Sequence, residues 1–164
     1  MKKLLAVLLI FFSVFSLSSC TKGSGTTEVP EDFAFSLQWG CSGDSTYDSK
    51  TGTLGKRVPE ELAATYFLTE TQKAEIYHLI ADMKPEKYPD EYTPLKGQTK
   101  PARVIRLSVT YNGMTKTITC RNVPVQSDSP RGKRGKAFMR VHDRIVEILS
   151  ATDEWQTFPI VLYD

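Results

Sequence analysis

The side chains with the greatest chemical potential are few: three cysteines at positions 20, 41 and 120, and two histidines at 78 and 142. His78 falls opposite a helical stripe of Ile76, Leu79, Ile80 and Met83, which makes it a surface residue. His142 lies beside Val141 and Ile145 at the edge of a second stripe, the place of a packed, hydrogen-bonded imidazole rather than a ligand. HExxH and paired CxxC spacings are absent, so the sequence predicts no metal site and no cofactor. Gly43-Asp44-Ser45 has the outline of a serine nucleophile loop, but Thr46 stands where such a loop carries glycine and no histidine precedes it. Gly132-Lys133-Arg134-Gly135-Lys136 lacks the GxxxxGK[ST] spacing of a phosphate loop. No residue is therefore assigned a catalytic role.

Three other groupings carry weaker chemistry. Cys41 and Cys120 both fall on apolar strand faces. They read either as a disulfide, which would close a loop of about 80 residues and stabilise by ~4 kcal/mol, or as two buried thiols acting as small apolar groups. Arg131, Lys133, Arg134, Lys136 and Arg140 cluster just before and within a helix start. Positive charge there opposes the helix dipole, and an anion or acidic partner would relieve it. The competing reading is a solvated basic loop pairing with Glu86, Asp90 and Glu91. Tyr88, Asp90, Glu91 and Tyr92 lie on a proline-rich loop. They read as a stiff recognition surface, or with both tyrosines packed onto the sheet. The acids lack the alternating spacing of a calcium loop.

The segment before Cys20 has a different character. Lys2 and Lys3 precede an almost wholly apolar run from Leu4 to Leu17, which ends in Leu17-Ser18-Ser19-Cys20. A basic start, an apolar core shorter than the ~20 residues of a membrane span, and small residues before a cut site make a secretory signal over 1–19. The Leu-Ser-Ser-Cys run resembles a bacterial lipobox. That resemblance implies a diacylglyceryl thioether on Cys20, with palmitate-type acyl chains holding the protein to the cell membrane or outer membrane, on the extracytoplasmic side. Thr21 in place of aspartate favours the outer membrane in a diderm host.

The 21 basic residues of the chain fall to 19 once Lys2 and Lys3 leave with the leader, which equals its 19 acidic residues. A neutral body predicts no nucleic-acid partner. Residues 20–32 read as the lipidated start and a Gly/Pro-bearing tether. Residues 33–164 are long enough for one core, hence one domain.

Phe33, Phe35, Leu37, Trp39 and Cys41 alternate with smaller or polar residues, a strand with one buried face. A second strand follows, with 47–52 as the turn, then a short helical turn over 59–64 and a buried extended Tyr66-Phe67-Leu68. Thr69 with Gln72 is a capping box opening a helix that Pro85 stops. Asn112-Gly113 marks a hairpin tip over 102–123. It pairs Tyr111 with Met114, Leu107 with Ile118 and Ile105 with Cys120. Lys116 alone breaks the apolar face, near the tip where its amine reaches water. A second helix spans about 136–149, and 155–163 reads as a last strand with Pro159 at an edge or interrupting it. The expected fold is α+β: an antiparallel sheet of about four to five strands with two main helices on one face.

Tyr66-Phe67-Leu68-Thr69-Glu70, the helix through Met83, Tyr88-Pro89-Asp90-Glu91-Tyr92 and the Asn112-Gly113 hairpin together resemble uncharacterised bacterial lipoproteins. They are also similar to a small secreted strand-strand-helix, strand-strand-helix domain of unknown function. The resemblance spans about 33–150 and implies no catalytic residues. The expectation is a membrane-anchored, non-catalytic binding module for a protein, peptide or glycan. The alternatives are an envelope hydrolase using carboxylates such as Asp44, Asp48, Glu86, Asp90 or Glu91, and a structural envelope-assembly protein, which a large exposed apolar patch would favour.

Overall fold

The computed structural model describes residues 28–57, 60–97, 103–124 and 130–159. The expected signal peptide over 1–19, the expected lipidation site Cys20 and the expected tether through Thr27 lie outside these described residues, as do Pro59 and residues 160–163 of the expected last strand.

Six strands form one antiparallel sheet: β1 Ala34–Trp39, β2 Ser45–Asp48, β3 Thr53–Arg57, β4 Glu61–Thr65, β5 Arg103–Tyr111 and β6 Met114–Val123, in the order β4-β3-β2-β1-β5-β6. Two main helices, α1 Glu70–Met83 and α2 Gly132–Ser150, cover one face, with a short α3 at Asp153–Gln156. The fold class is as the sequence suggests, with more strands than expected. The additions are β2, which takes up the start of the expected turn, and β4. The stretch 59–64, expected to hold a helical turn, is a strand from Glu61, because its backbone pairs along its whole length with β3. Tyr47 and Asp48, expected in a turn, belong to β2, and Tyr47 is buried.

One row of pairings crosses the sheet: Ala64, Leu54, Tyr47, Leu37, Leu107 and Ile118 stand side by side. Alternation of side chains puts the whole row on the helix-covered face. The opposite face carries Thr65, Thr53, Asp48, Ser36, Ser108 and Thr117 at the neighbouring level. The hairpin register is the one that the Asn112-Gly113 tip dictates. Toward its open end Asn122 adopts a positive φ and the pairing shifts by one residue, a β-bulge.

Helix α1 opens with the capping box: the Gln72 N–H donates to Thr69 Oγ1 (3.2 Å), and the Thr69 N–H donates to Gln72 Oε1 (2.9 Å). It ends at Lys84, whose left-handed φ of 60° turns the chain into Pro85 and a 3-10 turn over Pro85–Lys87. Arg144 joins α2 to α1 through two bonds to the Glu75 carboxylate, 2.7 and 2.9 Å, which hold that carboxyl below its usual range. Beyond α2, Thr152 Oγ1 accepts from the Trp155 N–H and starts α3. Trp155 is thus helical rather than extended. Its ring stacks on Trp39 at 5.4 Å and lies under the Lys56 amine.

Candidate functional site

The proline-rich loop and the start of α2 meet. Leu95 bridges Pro130, the Arg131 N–H donates to the Pro94 carbonyl (2.7 Å), and Arg131 Nε donates to the Leu95 carbonyl (3.2 Å). Gly135 permits this approach, since a Cβ there would overlap the Pro94 carbonyl oxygen. The Tyr88 hydroxyl donates to the Arg134 carbonyl (2.8 Å). Tyr88, Tyr92 and Phe138 form an aromatic triangle with ring centroids 5.0 to 6.2 Å apart.

Of the two readings of this loop, the arrangement has the tyrosines packed inward. Tyr88 is only 3% exposed, and burial pushes its hydroxyl up to about 12. Tyr92 is half-buried, and burial likewise raises its pKa. The two rings face inward because the loop has its own apolar seat on Phe138. Asp90 and Glu91 remain exposed, but both face β6. Asp90 pairs with Lys116, and Glu91 lies 3.6 Å from Arg121. Lys116 therefore meets a carboxylate at the hairpin rather than bulk water. The same segment adds a short parallel bridge to β6: the Tyr92 N–H donates to the Thr119 carbonyl, and the Thr119 N–H donates to the Asp90 carbonyl.

The basic cluster is displaced from its expected setting. Helix α2 begins at Gly132, four residues before the expected start, so Lys133, Arg134 and Lys136 occupy its opening turns and Arg140 lies one turn on. All four and Arg131 are exposed. Asp90 and Glu91 are spent on β6, so the expected pairing of the two loops does not form with them. Among the described residues no acid forms an ion pair with Arg131, Lys133, Arg134, Lys136 or Arg140. No acid stands in the first turn of α2 and no side chain caps it, so the positive end of the helix and the cations add.

Cys41 and Cys120 are free thiols. Cys41 bridges Arg103 beside β5, while Cys120 lies across β5 from it, opposite Ile105. Two strand spacings of about 4.8 Å separate them, beyond the reach of a disulfide. Burial pushes the Cys120 thiol up to about 12, the state of an inert packing group.

The carboxylates suggested for hydrolysis divide between distant elements. Asp48 accepts from the Lys50 and Thr51 N–H groups in the β2–β3 turn, and Asp44 accepts from the Ser45 hydroxyl. Glu86 follows Pro85 in the 3-10 turn, and Asp90 and Glu91 lie along β6. An open cleft of about 580 Å³ lies elsewhere, lined by residues that include Asp32, Lys50, Phe67 and Lys73. Its Asp32 carboxylate already accepts from the Asn112 and Gly113 N–H groups (2.8 and 2.7 Å). Phe67, expected to be buried, is 64% exposed here and is the one large apolar side chain so placed among the described residues. His142 is buried with Nδ1 2.8 Å from Asp143, and His78 packs against the Tyr77 ring. Among the described residues no cluster of three His, Cys, Asp or Glu could hold a metal, and no helix is long and apolar enough to cross a membrane.

Among the features that local sequence does not announce is the strand β4, because nothing in Glu61-Leu62-Ala63-Ala64-Thr65 distinguishes an edge strand from a helix. No protein-family model matches the chain, and no curated protein matches it.

Proposed function

We propose that the chain is a lipid-anchored bacterial lipoprotein, of the kind it resembles in sequence, whose extracytoplasmic domain is a non-catalytic binding module. The observation that carries the reading is Leu17-Ser18-Ser19-Cys20 at the end of an apolar run that a basic pair precedes. The position of the first fixed contacts supports it. Val29 packs on the core and Asp32 clamps the hairpin tip, leaving the eight residues after Cys20 as a tether that reaches up to ~29 Å when extended. Acyl chains contribute about 0.8 kcal/mol per buried methylene, so two or three long chains hold such a body at a membrane without a spanning helix.

Recognition is assigned to the exposed cations at the start of α2, which suit an acidic protein, peptide or glycan. A hydrolase would need two carboxylates facing one cleft, whereas Asp44 and Asp48 lie with β2, and Glu86, Asp90 and Glu91 belong to the loop beside β6. A structural envelope-assembly role draws little support from the isolated Phe67.

Globomycin treatment, or Cys20→Ala, tests the anchor. The expected result is accumulation of the unprocessed precursor and loss of metabolic labelling by palmitate. A Cys20→Ala chain that matures to the usual size would overturn the reading.

A further inference from the structure

Chemistry that needs no catalyst is written into the hairpin tip. Asn112-Gly113 is the two-residue turn joining β5 to β6, and both residues stand in the left-handed region, at φ 51° and 72°. Both are exposed, and a Cβ built on Gly113 would meet nothing within 4 Å. A tight turn of this hand favours glycine. Glycine also leaves the backbone nitrogen after the Asn112 carboxamide without a side chain to shield it. Once deprotonated, that nitrogen can attack Asn112 Cγ. The N–Cγ bond forms, the Cγ–Nδ2 bond breaks, and Nδ2 takes a proton from water and leaves as ammonia. Water then opens the succinimide ring, at Cγ to give aspartate or at the Asn112 backbone carbonyl carbon to give isoaspartate. The chain's other asparagine, Asn122, precedes Val123, whose branched side chain crowds the corresponding nitrogen.

The folded domain restrains this nitrogen. The Gly113 N–H donates to Asp32 Oδ2 at 2.7 Å, and the Asn112 N–H donates to Asp32 Oδ1 at 2.8 Å. Hydrogen bonds to a carboxylate are stronger than those between neutral groups. Two effects oppose the attack. The nitrogen must shed its proton beside a negative charge, which disfavours the amidate anion. It must also swing toward Cγ by rotation about the Asn112 Cα–C bond, and that swing draws the N–H away from Oδ2. We propose that Asn112 is a deamidation site that Asp32 holds closed, so that its modification follows release of the hairpin tip by the start of the domain. The product keeps the clamp open. Aspartate puts a carboxylate on the residue whose N–H the Asp32 carboxylate binds. Isoaspartate adds one backbone carbon to a turn whose length fixes the strand register. None of this depends on the lipid anchor.

The test is peptide mapping by mass spectrometry of the full chain, kept in detergent at mildly alkaline pH and sampled over time. Trypsin, cutting after Arg106 and Lys116, releases residues 107–116 with Asn112 inside. Exchange of an amino group for a hydroxyl gives the mass shift, and isoaspartyl methyltransferase labels the isoaspartate. The isolated 107–116 peptide sets the unguarded rate. The unaltered chain should react about tenfold more slowly than the peptide, the factor expected where a charge-assisted hydrogen bond must open first. Asp32→Ala should bring the rate close to that of the peptide, and Asp32→Asn, which keeps the shape and loses the charge, should fall between. Asp48→Ala unclamps the β2–β3 turn instead, so it controls for general loss of stability and should leave the rate unchanged. A parent chain that reacts as fast as the peptide, Asp32 variants no faster than the parent, or equal acceleration by Asp48→Ala would each overturn the proposal. Asn112→Asp should speed exchange of the Gly113 amide; unchanged exchange would overturn the claim that the product keeps the clamp open.

Discussion

The β6 edge and the β4 edge belong to one sheet yet are finished by different means. Along β6 the chain spends a loop: Tyr88 and Tyr92 seat on Phe138, Pro94 and Leu95 bond to Pro130 and Arg131, and residues 90–92 then reach the strand. Along β4 the described residues supply only neighbouring cover, where α3 brings Trp155 over Trp39 and Lys56 without pairing the strand's outer side. The covered edge also holds the cationic start of α2, because the loop that covers β6 buttresses that helix. Edge protection and presentation of charge are thus one construction on one side of the molecule, and among the described residues neither has a counterpart on the other.

If that construction is a unit, its keystone is Tyr88. Tyr88→Ala removes a buried ring and the hydroxyl bond to the Arg134 carbonyl, and should cost about 3–5 kcal/mol, the usual range for truncating a buried aromatic. Hydrogen exchange provides the sharper readout. The Thr119 amide should lose protection together with the first amides of α2, while the β3–β4 amides keep theirs. Uniform loss across both halves would mean that the edges are not independent. Tyr88→Phe keeps the ring and should cost only ~1 kcal/mol.

Gly135→Ala is the next test in size, and its sign is informative. In an ordinary helix interior the change stabilises by up to ~1 kcal/mol. Here the new methyl overlaps the Pro94 carbonyl oxygen, a backbone atom held by the Arg131 N–H. A net loss of about 1–3 kcal/mol is expected, as for overpacking. A more stable protein would show that the loop can lift from α2 at no cost, and the contrast between the edges would weaken accordingly.

The same two halves differ in how far the sequence announces them. The β5–β6 hairpin is legible because Asn112-Gly113 fixes the tip and alternation then fixes every partner. The α1 cap is legible because Thr69 and Gln72 carry the signal themselves. On the β4 side the code is thin. Glu60-Glu61-Leu62-Ala63-Ala64 favours a helix by propensity, and only pairing with β3 makes it a strand, a tertiary override that local residues do not encode. Thr152-Asp153-Glu154 did carry a helix-start signal, overshadowed by the bulky residues after it. At the candidate site, five cations could be read from composition alone. That Tyr88 and Tyr92 point inward required knowing that Phe138 waits beneath them. The early start of α2 is hidden by Gly132 and Gly135, which look like loop residues: Gly132 supplies the left-handed backbone that opens the helix, and Gly135 lets the Pro94 carbonyl approach.

A smaller effect separates the two turns that carboxylates clamp. Asp48 binds the N–H groups of its own β2–β3 turn, whereas Asp32 reaches across 80 residues to the Asn112 and Gly113 N–H groups at the hairpin tip. Those two donors hold the Asp32 carboxyl below its usual value. A group whose folded pKa is depressed contributes stability above its unfolded pKa, near 3.9, and loses it as pH falls through the folded value. Asp32→Asn should therefore lower the melting temperature at pH 7 by less than Gly135→Ala does, with the difference from the parent shrinking as the pH falls below about 4. Acid should loosen the hairpin tip before it loosens the β3–β4 pairing, seen as faster exchange of the Gly113 amide. If Asp32→Asn leaves the parent's acid profile unchanged, the clamp is a crossing of neighbours and not a tie between the start of the domain and its most legible hairpin.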